Sequence, residues 1–448
     1  MAISASLRSD SSLFAGDWMR FRGPNGTGSY EDEKPLPVTW GETENLAWKR
    51  PLPGPGVSSP IVVGEKVFVT CYSGYGVERD DPGNMDDLKR HLVCLNRKSG
   101  EIVWQKTIDA VLPEDPYSGP GVPTHGYASH SPVSDGKNVY VFFGKTGALA
   151  FDLEGKQLWQ TNVGQESDPR RWGSSSSPIL YEDKLILTAS AESEALVALD
   201  TKTGKEVWRA EASGLANTWG TPTLGKTESG ETQIVLGVPY EIWGLNPETG
   251  KLQWYCEAMD TDQFNSSVIN ADGLIIGIEG RSGGAVAVRP GGKGDITDSN
   301  RVWQERHSGR FSTPVYYDGR VYGISNGIVT CIDAKTGERI YQARLEGNSQ
   351  QEQSQDRAEE GGQRRGFGFG RGRFGGSDYS SPILADGKIY FVRGTGEVFV
   401  IKAGDEFEQL AVNQMPASGE QFMATPAASD GQLFIRSDKH LYCIGRTD

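Results

Sequence analysis

The chain has 448 residues, a formal net charge of −14, 36% hydrophobic residues, 58 glycines and 11 tryptophans. An acidic balance argues against a general nucleic-acid binder, which needs a basic face to displace counterions. No run approaches the roughly 18 apolar residues of a membrane span, and abundant Gly with many Trp and Tyr suits short strands and tight turns more than helices.

Residues 1–16 lack the apolar centre of a signal peptide, so no leader is visible. Residues 1–44 read as an N-terminal extension packing on the body that follows. They contain Asp17-Trp18-Met19-Arg20-Phe21-Arg22-Gly23-Pro24-Asn25-Gly26-Thr27-Gly28, a turn-rich stretch with aromatic and basic anchors. Asn45-Leu46-Ala47-Trp48-Lys49 then looks like the last strand of a repeat whose beginning is missing.

From there one figure recurs: a strand ending in Asp or Asn, a turn closed by glycine, and an aromatic residue four positions on. It appears at Asn96, Gly100 and Trp104; Asp152, Gly155 and Trp159; Asp200, Gly204 and Trp208; Asn246, Gly250 and Trp254; and Asp333, Gly337 and Tyr341. In the seventh unit Glu408 stands where the aromatic is expected. The Asp and Asn side chains suit capping of the turn, and the glycine suits a left-handed backbone. The tryptophans read as wedges between repeats rather than as a cofactor box.

A second marker, Ser/Thr-Pro, opens each unit at Pro60, Pro132, Pro178, Pro222, Pro314, Pro382 and Pro426, with Ser267 taken to stand in the proline's place in the remaining one. A base period near 45 residues with four short strands is the signature of a propeller blade. The eighth unit, beginning at Ala424, lacks an outer strand, and the orphan strand around Trp48 supplies one. The predicted fold is therefore all-β: residues 45–448 form a single eight-bladed β-propeller of four-stranded antiparallel blades, closed by the N-terminal strand around Trp48. Closure removes the exposed sheet edges.

Three insertions, 72–90, 109–129 and 346–378, fall in loops expected on one face of the disc, and loops on a rigid scaffold are where binding concentrates. Within the last, residues 361–376 alternate Arg, Gly and Phe in a way that resembles RNA-binding segments. Four arginines in an acidic chain read instead as a surface loop.

The residues ahead of each inner strand converge on the mouth of the central channel. The cofactor-binding or ligand-binding candidates among them are Arg171, Trp172, Trp219, Asn265, Arg310 and Tyr379, with Arg281 reaching in from a neighbouring loop. Aromatics with three arginines suit an anion. The spacing of His125 and His130 has no metal specificity, and no nucleophile elbow, phosphate loop or dinucleotide fingerprint occurs. Neither a catalytic set nor a metal site is expected. The five cysteines contain no C-x-x-C pair; Cys94, Cys331 and Cys443 occupy equivalent apolar strands and read as small buried hydrophobes.

The combined pattern, Ser/Thr-Pro, Gly-x-Val-Tyr, then Leu-Asp-x-x-Thr-Gly-x-x-x-Trp, resembles the PQQ-like (quinoprotein-type) propeller repeat. The opening from Asp17 to Gly26 is similar to exported PQQ-like proteins of the planctomycete type. Such a resemblance implies one of two kinds of member. Quinoprotein dehydrogenases hold PQQ and calcium in the channel, and BamB-like members are scaffolds that bind protein. The large alcohol dehydrogenases stack PQQ on a disulfide between neighbouring cysteines, and this chain has no neighbouring pair. The expectation is a monomeric, exported or periplasmic scaffold, with no cofactor, no nucleic acid and no catalysis, which binds a protein or cell-envelope partner. A PQQ-dependent oxidoreductase is the alternative, and a small-ligand or sugar site in the channel a second.

Overall fold

The computed structural model describes residues 16–30, 34–279, 283–347 and 378–446. Arg281 and the Arg-Gly-Phe segment 361–376 lie outside them. The described residues form eight antiparallel sheets, each a blade of a β-propeller. Blade 3 shows the logic. Its strands run Ile179–Tyr181, Lys184–Ala189, Ala195–Asp200 and Glu206–Glu211 from the axis outward. The two middle strands are buried on both faces because a blade lies on either side, and they read as continuous apolar runs. The outer strand alternates, with Trp208 turned inward.

The ring closes as predicted. Leu46–Pro51 pairs antiparallel with His440–Ile444, placing Trp48 opposite Cys443 and completing blade 8. Two blades carry a fifth, parallel strand: Ser29–Tyr30 on the inner strand of blade 7, and Gly294–Asp295 on the outer strand of blade 4.

The recurring Asp-to-Trp figure has one physical account. The turn carboxylate or amide caps its own turn: Asp200 Oδ1 accepts from the Thr203 N–H at 2.8 Å, and Asp333 Oδ1 from the Lys335 and Thr336 N–H groups at 2.8 and 2.9 Å. The indole serves the next blade. Trp48, Trp104, Trp159, Trp208 and Trp303 donate Nε1–H to carbonyls of Arg97, Leu153, Thr201, Pro247 and Ala334, all in or beside the turn of the following blade. That turn's glycine lies against the indole. At Gly100, φ is +67°, and a Cβ would sit 2.5 Å from Trp48 Cδ2. Glycine is required twice over, for backbone and for space.

Blade 5 has no such turn, and Trp254 of blade 4 folds inward instead, donating to Gln233 Oε1 at 2.8 Å while Gly294 lies opposite it. The aromatic position of blade 7 is corrected from Glu408 to Ala411. Each outer aromatic pairs just before a bulge in the ladder, as Trp208 does with Ala198, and in blade 7 that residue is Ala411, opposite Val400. Glu408 lies beyond the bulge and pairs with Lys402. The bulge is common to all eight blades; in blade 7 Gly404 falls four residues after Val400, whereas Gly204 falls six after Ala198, so a count of four from the glycine stops short of the slot. The five cysteines are free and buried.

Trp48→Ala removes the indole that joins the closing strand to blade 1, with an expected loss of about 3–5 kcal/mol in chemical denaturation. Gly100→Ala should be comparably damaging, since both its φ and its space are taken. A loss below about 1 kcal/mol for Trp48→Ala would mean that ring closure does not depend on this wedge.

Candidate functional site

The innermost strands converge on the channel through one residue per blade, the Ser or Thr that opens each unit. Its backbone N–H donates to the hydroxyl of the equivalent residue in the next blade: Ser59 to Ser131, Ser131 to Ser177, Ser177 to Thr221, Thr221 to Ser267, Ser267 to Thr313, Thr313 to Ser381 and Ser381 to Thr425, at 2.9–3.0 Å. The Thr425 N–H returns to Ser59 Oγ at 3.1 Å and closes the circle. Ser267 therefore occupies the hydroxyl position, and Val268 stands in the proline's place, a shift of one residue from the sequence assignment. The proline marker hid the functional member of the pair, which is the hydroxyl before it.

Residues two positions earlier form a second tier, because side chains alternate in extended chain. They are Val57, Ser129, Ser175, Trp219, Asn265, Phe311, Tyr379 and Met423, and with the hydroxyl ring they line a cavity of about 780 Å³. Phe264 and Phe422, each one position before this tier, turn away and are 0% and 1% exposed in the blade cores. Of the predicted residues, Trp172, Trp219, Asn265, Arg310 and Tyr379 meet in this cavity. Arg171 does not: it is exposed, in a left-handed turn at φ 54°. Its neighbour Arg170 packs at Trp172 instead, with its guanidinium 5.2 Å from the ring centroid and an Asp262 carboxylate at 2.6 Å.

The walls carry two aromatic pairs. Trp172 and Trp219 lie 5.4 Å apart with Trp219 Nε1 donating to the Gly173 carbonyl at 2.7 Å. Phe311 and Tyr379 stack at 4.6 Å, with the Arg310 guanidinium 4.7 Å from the Phe311 centroid. Insertion 109–129 adds Pro120, Gly121, Thr124 and His125 to the lining. It is held in place by packing of Val122 and Tyr127 on Tyr72, Tyr75 and Leu88 from the first insertion, and by a buried Arg90–Glu114 ion pair.

The N-terminal segment crosses the other end of the channel. Trp18 exchanges backbone bonds with Val62 of blade 1, the Met19 carbonyl accepts from Ser134 of blade 2, and Arg20 donates to the Pro222 carbonyl of blade 4 at 3.2 Å. Arg22 donates to carbonyls of Thr313, Pro314 and Pro382 in blades 6 and 7, and of Gly26 and Thr27 in its own loop. Phe21, between the two arginines, lines the cavity as its floor. A Cβ at Gly23 would meet the Trp18 indole at 2.6 Å, and one at Gly28 would meet Arg22 Nη2 at 2.7 Å, which explains two of the three glycines of this stretch.

In the wall His125 Nε2 lies 2.6 Å from the Trp172 carbonyl, which only accepts, so Nε2 carries the proton and Nδ1 accepts from the Ser129 hydroxyl at 2.7 Å. Deeper still, a chamber of about 30 Å³ is bounded by His130, Ser174 and Glu192 among others. His130 Nε2 bonds Ser174 Oγ at 3.0 Å, and Ser174 donates to Glu192. Burial pushes the Glu192 carboxyl up to about 7 and, with Arg90 and His125 nearby, pushes His130 down to about 3.

A closed ring of eight hydroxyl-linked blades around an aromatic-walled cup defines the class, the PQQ-like propellers. The family model described as outer membrane protein assembly factor BamB matches residues 30–167, 84–218 and 186–403, and the chain belongs to that family. Polyvinylalcohol dehydrogenase of Sphingopyxis sp. (strain 113P3) is 23% identical over 296 residues, 56% of this chain and 41% of that protein. The Pseudomonas sp. enzyme of the same name is 22% identical over 264 residues, 49% and 37% respectively. The chain thus spans about two fifths of the length of these relatives. BamB from Moraxella catarrhalis superposes with a TM-score of 0.57 at 12% identity, covering 89% of this chain and 96% of that one. A europium-containing methanol dehydrogenase does so with 0.62 at 11%, covering 95% and 91%. At such identities the likeness is one of fold.

The cavity residues do not fit a metal-bound PQQ stacked on a disulfide. No cysteine lines the cavity, and among the described residues no three His, Cys, Asp or Glu side chains converge as a metal-binding set. The Glu279 carboxylate beside Asn265 already accepts from Asn265 N and Nδ2 and from Ser266 N, at 2.8, 3.1 and 2.9 Å.

Ser177→Ala leaves the Ser131 N–H without its acceptor and should cost about 1–3 kcal/mol in denaturant melts; no measurable loss would make the ring incidental. Glu192 supplies a pH signature. Its folded pKa of about 7 exceeds the ordinary 4.5, so its contribution is fully present below about 4.5 and is lost as pH rises toward 7. The stability difference between the wild type and Glu192→Gln should therefore move against the wild type from pH 4.5 to 8. A difference flat across that range would show Glu192 ionised in the fold.

Proposed function

We propose that the protein is an exported, non-catalytic binding propeller, which holds a protein or cell-envelope partner on the face where the central cavity opens. The observation that carries this reading is the character of the cavity. It is deep and aromatic-walled, and it lies within the ~300–1,000 Å³ range of ligand sites. Among the described residues no three His, Cys, Asp or Glu side chains come together as a metal-binding set, and those that line the cavity include neither Cys, Asp nor Glu. Family membership is consistent with this and with its opposite, since one fold hosts both scaffolds and enzymes. Among the described residues no helix is long and apolar enough to cross a membrane.

The second reading, an oxidoreductase working in the same cavity, draws support from the polyvinylalcohol dehydrogenase relatives. Titration with PQQ and calcium or a lanthanide, following quinone absorbance and dye-linked oxidation of alcohols and polyvinyl alcohol, separates the two. No saturable binding at tens of micromolar quinone is the expected result; saturable binding with turnover would overturn the non-catalytic reading.

A further inference from the structure

The hydroxyls of the floor ring use only half of their hydrogen-bonding capacity. Each oxygen accepts one backbone N–H from the preceding blade. The O–H proton is a donor as well, and among the described residues none of the eight donates it to any protein acceptor. These side chains are only 2–8% exposed, and all eight line the cavity. What fills the cup therefore decides whether their protons are satisfied. A buried donor left unmade is costly, so the floor calls for an occupant rich in acceptor oxygens.

Above the floor the wall is flat and apolar in two places. Trp172 and Trp219 form one pair, from blades 3 and 4, and Phe311 and Tyr379 the other, from blades 6 and 7. Trp172, Phe311 and Tyr379 are half-buried, and each gives part of its ring to the cavity. The buried shell around the cup carries charge of both signs. The Asp168 and Glu279 carboxylates accept from N–H groups of Trp172, Gly173, Asn265 and Ser266, and they offset the Arg20 and Arg22 guanidiniums, which donate to backbone carbonyls. The cup thus has no bias toward either sign. Converging O–H donors, flat apolar faces and no net charge are together the complement of a neutral sugar ring, which has apolar C–H faces and an edge of hydroxyl and ether oxygens.

Resting on the binding reading above, we propose that the cup takes the end unit of an uncharged polysaccharide. Its ring stacks on an aromatic pair, and its oxygens accept from the floor hydroxyls. Phe21 and the N-terminal segment close the other end of the channel, so the polymer enters by a terminus or a side branch and does not thread through. A polyol without rings, such as polyvinyl alcohol, offers the oxygens but not the flat face, and should bind more weakly.

The test is calorimetric titration of the intact protein with uncharged oligosaccharides of glucose, mannose, galactose and xylose, and with a polyvinyl alcohol oligomer. At least one oligosaccharide should bind saturably, about tenfold or more tightly than polyvinyl alcohol. Its affinity should change less than about twofold as salt rises from about 0.05 to about 0.5 M, since no charge is matched. Of Trp172→Ala and Phe311→Ala, at least one should weaken it about tenfold or more. On the unaltered protein, probes with a terminal hydroxyl replaced by hydrogen should lose about threefold or more at one ring position or another, which reads the floor without any risk to folding. No binding of any oligosaccharide by a natively folded protein, which leaves water alone on the ring, would overturn the proposal. So would equal affinity for polyvinyl alcohol, or binding indifferent to both the aromatic variants and the deoxy probes. Failure here while PQQ also fails to bind leaves the binding propeller standing without its sugar. Quinone turnover together with neutral-sugar binding would overturn the non-catalytic reading and leave the preference of the cup in place.

Discussion

Eight backbone N–H groups, one per blade, each donate to the hydroxyl of the next blade, and the last returns to the first. The rest of the molecule depends on this circle. In seven blades a proline follows, which has no N–H of its own and confines the hydroxyl residue to extended conformations; Val268 shows that proline assists but is not required. The bonds are buried and each is worth only about 0.5–1.5 kcal/mol net, but together they set the spacing of the innermost strands and therefore the bore of the channel. At the rim five indoles repeat the arrangement, each reaching across to the turn of the following blade. The propeller is thus tied blade to blade at two radii, and the hydrophobic cores between those ties need only be the right size.

This scaffold is nearly symmetric, and the site is not. The hydroxyl tier is the same in every blade, but the tier above it runs from valine and serine through tryptophan, asparagine, phenylalanine, tyrosine and methionine. Ring closure uses the first tier and makes no demand on the second. The N-terminal segment breaks the symmetry further by sealing one end with Phe21 and placing two carbonyl-solvated arginines beneath the floor.

Relatives of this fold include both scaffolds and dehydrogenases, and nothing in blade packing separates them. In this chain the residues that face the axis set what the channel can hold. Here those residues are hydroxyls, aromatics, one amide, a histidine and an arginine. His125 is tied on both sides, by the Trp172 carbonyl and the Ser129 hydroxyl, and serves to brace the wall.

The sequence by itself determined the number of blades, their four-strand pattern and the closing role of Trp48, because each follows from local chemistry repeated at a fixed period. A capped turn, a glycine and an aromatic are contiguous in the chain, and so their count is readable. It also placed five of seven candidate residues in the cavity, since every loop ahead of an inner strand must arrive at the axis. What it left to the tertiary structure were the relations between blades. The hydroxyl acceptor of Ser59 is 72 residues away and that of Thr425 is 366 away, so no local pattern marks the ring. The early place of Gly404 in the turn of blade 7 moved the aromatic slot from Glu408 to Ala411, and side-chain alternation sent Phe264 and Phe422 into the core. The path of Trp18 to Gly28 across the channel was decided by contacts to five blades, one of them 360 positions away along the chain. Local chemistry repeats along the chain and can be counted. The cup exists only where distant segments meet.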